Sequence, residues 1–186
     1  MKNLFIAIAI LFSVSASSQS FDGVAISGDL PTAIAKYKAK GYSVKSYFEQ
    51  GVKLIGKVAN RDIELFIFTT PKSKKIFKMV VYFDDETSWY GIRGTYSTIL
   101  NMLTDKYGTP DEDVAKFITP YYLGDGYELQ AVELEKCDYH AYWFRRDNLT
   151  VGLEMSKYKQ VKIVYENNLM MDLKNKEQSE IERNAF

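Results

Sequence analysis

From residue 42 to residue 84 the chain alternates apolar and polar side chains with a period of two, and this constrains the fold more than any other feature. Successive side chains of an extended strand point to opposite faces, so such a pattern buries one face of a sheet and does not suit a helix. Val52, Leu54 and Val58 alternate with Lys53 and Lys57. Ile63, Leu65 and Ile67 line one side of a strand whose other side carries Glu64, Phe66 and Phe68. Phe77, Met79, Val81 and Phe83 then alternate with Ile76, Lys78, Val80 and Tyr82. Turns at Asn60-Arg61-Asp62 and Pro71-Lys72-Ser73-Lys74 separate the runs, and residues 43–49 read as a weaker first strand. The block predicts about four antiparallel strands.

Helical spacing brackets this block. Ahead of it, residues 21–28 form a short lead-in, and Ser27 or Asp29 can cap a helix in which Leu30, Ile34 and Tyr37 share a face. Pro31 suits the first turn, where its missing N–H costs nothing, and Gly41 supplies the left-handed geometry that ends the helix. Behind the block, Trp89, Ile92, Tyr96, Ile99, Leu100, Leu103 and Tyr107 fall on one stripe. Thr87 or Ser88 can cap this second helix, the acids at 84–86 precede its positive end, Gly108 closes it and Pro110 prevents its continuation. Strands are predicted again at 113–119, 127–134, 139–145, 149–155 and 160–165. Their turns fall at Leu123-Gly124-Asp125-Gly126, near Lys136-Cys137-Asp138, at Arg146-Asp147-Asn148 and at Lys157-Tyr158. Residues 167–186 carry Leu169 and Leu173 without a stripe beyond them and read as a charged, partly ordered tail.

The first twenty residues have the layout of a secretory signal: Lys2, an apolar run from Leu4 to Phe12, then small polar residues. The run is shorter than the roughly 20 apolar residues that span a bilayer. Ala16 and Ser18 place a cleavage site that makes Gln19 the first exported residue, with a cut after Ala16 a near equal, and no cysteine stands close enough to take a lipid. The expectation is an exported protein, periplasmic or secreted, without a transmembrane segment. Lys and Arg equal Asp and Glu at 24 each, and loss of Lys2 leaves a formal charge of −1. A nucleic-acid binder ordinarily carries a basic excess, so no nucleic-acid partner is expected. Cys137 is the single cysteine, which rules out an internal disulfide and predicts a buried, inert thiol.

Lys38-Ala39-Lys40-Gly41-Tyr42 and Thr104-Asp105-Lys106-Tyr107-Gly108 close the two helices at equivalent places, their glycines 67 residues apart. This divides the chain into a signal peptide (1–18), a first α+β module (19–87), a second (88–166) and a tail (167–186). The expected fold class is α+β: two tandem modules of a helix plus a four-stranded antiparallel sheet, with both helices on one face of a continuous curved sheet. That layout over residues 29–166 resembles the beta-lactamase-inhibitor-protein-like family. The helix ending Leu100-x-x-Leu103 to Lys106-Tyr107-Gly108-x-Pro110 is also similar to small exported proteins of Bacteroides-type bacteria. The resemblance implies the fold. The inhibitor family carries disulfides that this chain cannot form, and none of its inhibitory residues can be placed here.

No catalytic motif stands out. His140, the single histidine, lies on a predicted strand with Tyr142 and Phe144 on its side and Tyr139, Ala141 and Trp143 on the other, three residues from Cys137. A Cys-His pair is one reading, and a strand histidine beside a buried cysteine is the other. Neither paired-cysteine nor His-Glu-x-x-His spacing occurs, no glycine-rich phosphate loop is present, and no cofactor or metal is expected. The acids at 84–86 and 111–113 read as helix-capping and loop residues, and Lys72, Lys74, Lys75 and Lys78 as solubilising charges around a hairpin. Aromatic residues are abundant, with 14 Tyr, 11 Phe and 2 Trp. Tyr121, Tyr122 and Tyr127 flank the Gly-Asp-Gly turn, while Tyr139, His140, Tyr142 and Trp143 occupy the two sides of one strand. These seven are the candidate ligand-binding residues, because rigid rings with polar tips anchor protein and sugar partners. The expected function is a non-enzymatic binding module that uses an open aromatic sheet face to meet a protein or glycan of the cell envelope. The alternatives are a hydrolase working through carboxylates and an envelope-assembly accessory.

Overall fold

In the computed structural model, which describes residues 20–145 and 147–184, a small ribbon of β1 (Ser20–Phe21) and β2 (Val24–Ala25) leads into helix α1 (Leu30–Ala39). The expected signal peptide, and Arg146 of one expected turn, lie outside the described residues. Asp29 caps α1, its Oδ1 accepting from Thr32 N at 2.9 Å. Four strands follow: β3 (Ser43–Phe48), β4 (Gly51–Val58), β5 (Arg61–Thr69) and β6 (Ile76–Phe83). Ala59 and Asn60 both take positive φ between β4 and β5, so that turn sits one residue earlier than Asn60-Arg61-Asp62. Helix α2 (Trp89–Tyr107) is capped by Ser88, whose Oγ accepts from Gly91 N at 3.0 Å, and is closed by Gly108 at φ 87°.

The second half adds β7 (Glu112–Phe117), α3 (Glu128–Glu133), β8 (Cys137–Phe144), β9 (Leu149–Met155), β10 (Val161–Asn167) and α4 (Asn168–Arg183). Two expectations change here. Residues 127–134 alternate well enough to imitate a strand, yet they form the single turn-and-a-half of α3. Glu, Leu, Gln and Ala are helix formers, Glu128 Oε1 accepts from Gly124 N at 2.8 Å, and the neighbours Ala131 and Val132 are both buried, which one strand face cannot arrange. The tail is the ordered helix α4. Asn167 caps it by accepting from Met170 N, and its one fully buried side chain is Glu177 rather than an apolar residue, so no hydrophobic stripe announces it.

The eight longer strands form a single antiparallel sheet in the order β3-β4-β5-β6-β10-β9-β8-β7. Its register sorts every side chain to a face. Leu65 pairs with Val81, Val81 with Ile163, Ile163 with Leu153 and Leu153 with Ala141, all at most 5 % exposed. This core face also takes Ile34 and Tyr37 from α1, Ile92, Tyr96, Ile99 and Leu103 from α2, and Ala131 and Val132 from α3. Each such aliphatic side chain contributes about 1.5–3 kcal/mol when fully buried. Helix α4 gives nothing to that cluster; it packs against β6 and β10. A register shift between Phe68 and Thr69 puts Ile76 into the core and takes Phe77 out of it, which breaks the simple alternation of 76–83. Among the described residues no helix is long and apolar enough to cross a membrane.

Candidate functional site

The same register defines the reverse face of the sheet. Residues one step out of phase with the core point there: Phe48, Lys53, Glu64, Phe66 and Phe68 from β3 to β5, Lys78, Val80 and Tyr82 from β6, then Lys162, Val164, Glu154, His140, Tyr142 and Phe144. Aromatic rings gather toward its two ends. On the β3–β6 side, Phe48 and Phe68 have ring centroids 5.3 Å apart, Phe66 meets Tyr82 edge-on at 5.6 Å, and Lys53 Nζ sits 5.1 Å over the Phe66 ring. On the β8 side, Tyr142 stacks with Phe144 at 6.2 Å and lies 5.3 Å from the His140 ring.

Ion pairs between neighbouring strands fill the space between the two clusters. Lys78 Nζ meets Glu166 at 2.7 Å and Lys162 Nζ meets Glu154 at 2.7 Å, while Lys53 Nζ meets Glu64 at 2.6 Å within the β3–β6 cluster itself. The Tyr142 hydroxyl donates to Glu154 Oε1 at 2.7 Å. Burial and the hydrogen bond to Glu154 both push the Tyr142 phenol up from its ordinary value. Burial alone would raise the Glu154 carboxyl, but its bonds from Lys162 and Tyr142 outweigh this and hold it low. The result is a fixed mosaic of rings and neutralised charge. Beside Tyr82 a depression of about 300 Å³ opens, with Phe66, Phe68 and Val80 as its apolar floor and Glu64, Tyr158 and Gln160 at its edge.

The structure separates the seven candidate residues. His140 and Tyr142 lie on the reverse face. Trp143 is 1 % exposed in the core, its indole N–H donating to the Gly108 carbonyl at 2.7 Å, and Tyr139 packs beside Trp89 and Tyr96; these two hold α2 to the sheet and are not on the open side. Tyr121 packs against the core edge. Tyr122 and Tyr127 are exposed on the loop between β7 and α3, where Asp125 accepts from both of their amides, and among the described residues no ring contact joins them to His140 or Tyr142. Phe48, Phe66, Phe68, Tyr82 and Tyr158 were not among the candidates. For Phe66, Phe68 and Tyr82 the signal was present as the second phase of the alternation, which reads as apolar on both sides of β5 and β6, whereas Phe48 ends β3 and Tyr158 sits in the turn before β10, where no period marks them.

The chemistry available here is recognition. His140 Nδ1 is 2.7 Å from Asp138 Oδ1, while Cys137 faces the core with its thiol pushed up to about 12 by burial and the nearby Asp138 charge, so no Cys-His pair assembles. A wider groove of about 610 Å³ along β4 and β5 contains Asp62, Glu64 and Asp84; Asp62 is paired with Lys57 at 3.1 Å and Glu64 with Lys53. Lys72 and Lys78 of the hairpin run are likewise paired, with Glu180 and Glu166. Among the described residues no group of three or more His, Cys, Asp or Glu side chains is arranged to hold a metal ion. No protein-family model matches the chain, and neither does any curated protein or solved structure.

Proposed function

We propose that this is an exported, non-enzymatic binding module of the periplasm or cell exterior whose reverse sheet face receives a protein or glycan of the envelope. The observation that carries the reading is the reverse face itself: two ring clusters and a 300 Å³ depression held rigid by cross-strand ion pairs. Rigid rings lose little entropy on contact, and pre-paired charges leave no buried ion uncompensated when water is expelled. The strand order supports the tandem layout, since each half is a helix followed by four strands that run from an outer edge, β3 or β7, inward to the central pair β6 and β10. The beta-lactamase-inhibitor-protein-like resemblance belongs to the same proposal.

The test is a screen of purified envelope proteins and glycans, followed by titration of any hit. A saturable partner should lose about tenfold or more in affinity with Phe66→Ala plus Tyr82→Ala, or with Tyr142→Ala, while surface changes on α2 leave it unaltered. If no partner saturates, or if these variants bind as wild type does, the reading is wrong. The carboxylate hydrolase is a second reading that rests on the groove holding Asp62, Glu64 and Asp84. Hydrolysis of an envelope polymer that is abolished by Asp84→Asn would replace the binding proposal. For an assembly accessory, α4 is the element a partner would cover, and its exposed Leu169 and Ile181 are the residues to change.

A further inference from the structure

Eight strands at about 4.8 Å spacing make a sheet roughly 35 Å wide, whereas a helix with its side chains covers about 10 Å. The core face is therefore too broad for α1 and α2 to roof alone. α1 sits against β2 and β3 and α2 against β9 and β10, and among the described residues the N-terminal ribbon and the β4–β5 turn border the strip between them through Phe21, Asp22, Val58 and Ala59. The strip holds a cavity of about 290 Å³. Ile99, Met102 and Leu103 of α2 form one wall, Phe83, Ile163 and Tyr165 the floor, and Phe21 and Val58 the far side. The lining is overwhelmingly apolar, and Met102 stands 48 % exposed at the mouth.

Cations outnumber acids two to one at the rim. Arg61 and Lys106 both reach it, and neither has a carboxylate ion-pair partner among the described residues: Arg61 donates to Thr95 Oγ1 at 3.0 Å and Lys106 to the Ser20 carbonyl at 3.4 Å. The one acid of the rim, Asp22, is already engaged by Lys40 at 3.4 Å and by the Tyr42 hydroxyl at 3.2 Å. An apolar slot between two halves of a fold, with a few polar groups converging on its mouth, is a common setting for a small ligand.

We propose that this cavity binds a single-chain fatty carboxylate, the acyl chain inside and the head group against Arg61 and Lys106. At roughly 30 Å³ per heavy atom, the share of a water molecule in the liquid, about ten chain atoms fit. The cavity lies on the opposite side of the sheet from the aromatic face, so either assignment stands or falls without the other.

The purified protein is titrated with decanoate and with decanol by displacement of a fluorescent anilinonaphthalene sulfonate and by calorimetry. Decanoate should saturate at one per chain. Arg61→Gln with Lys106→Gln should weaken decanoate about tenfold and leave decanol unchanged, because only the charged head meets the cations. Met102→Trp, or Thr98→Phe should the first variant unfold, narrows the mouth and should remove both ligands while circular dichroism and the unfolding midpoint hold. Absence of saturation, binding that survives both mouth variants, or equal weakening of decanol by the charge variants would overturn the assignment. Decanoate delivered only as vesicles, with none bound from free solution, would also overturn it, since a membrane surface and not the slot would then be the binding site.

Discussion

Glycine separates the two kinds of tight place on this molecule. A Cβ built at Gly152 would stand 2.6 Å from Tyr142 Cε1, and one at Gly51 would strike both the Phe48 ring and the Ile67 carbonyl. Rings on the reverse face therefore lie directly over bare backbone. Gly51→Ala should cost about 1–3 kcal/mol, because a carbonyl cannot swing aside as a side chain can. Gly94, in the middle of α2, faces open space, so Gly94→Ala should stabilise by about 0.5–1 kcal/mol through helix propensity. Urea unfolding of both variants checks the opposite signs. At Cys137 the outcome concerns reactivity: a thiol raised to about 12 by burial should resist a disulfide reagent at pH 8 until the protein unfolds, and rapid native labelling would contradict the burial. Periodicity placed His140 and Trp143 on opposite sides of one strand. Choosing the wet side required the partners, since both sides of 139–144 are aromatic.

Among the elements, α4 is the one whose attachment is polar. Glu177 is 6 % exposed and accepts from Lys72 N at 2.7 Å and Ser73 N at 3.1 Å, clasping the β5–β6 turn, while Lys72 Nζ meets Glu180 at 3.0 Å. Burial alone would raise the Glu177 carboxyl, but the Ser73 side chain, the two amides and the Thr70 hydroxyl outweigh it and hold it below its ordinary value. Glu180 is held low by Lys72 and titrates in the same sense. A depressed carboxyl adds stability above its unfolded pKa and loses it as pH falls through the folded one. Protection of the α4 amides, corrected for their intrinsic exchange rates, should therefore fall as pH drops below the ordinary glutamate range. Glu177→Ala should loosen α4 already at neutral pH, at a cost of about 1–3 kcal/mol from two amides left without a partner. If exchange in α4 ignores both acid and the substitution, the clasp does not hold the helix. A helix fastened by a carboxylate leaves no apolar stripe, which is why residues 167–186 read as a tail. The strands from 43 to 83 were legible because half-buried hairpins write their period into the chain, whereas α3 was not, its six residues being too few to separate one period from another.

For the whole molecule the decisive join is β6 against β10, where Val81 meets Ile163 and two sets of four strands become one sheet over one core. Shared burial across that join predicts a single unfolding transition. Fluorescence of Trp89 and Trp143, both in the second half, should give the same urea midpoint as far-UV circular dichroism, which reports on both halves; separated midpoints would show that the halves hold independently. Local patterning was enough to determine that the chain is α+β, where α1 and α2 begin and end, and that its strands pair antiparallel, because capping, glycine geometry and side-chain alternation act over a few residues. Tertiary structure alone decided the order in which eight strands join, with β6 against β10 at the centre, which aromatic face is buried, and that a gap remains between α1 and α2. Those outcomes depend on which residues far apart in the chain exclude water together, and no short window of sequence contains both partners.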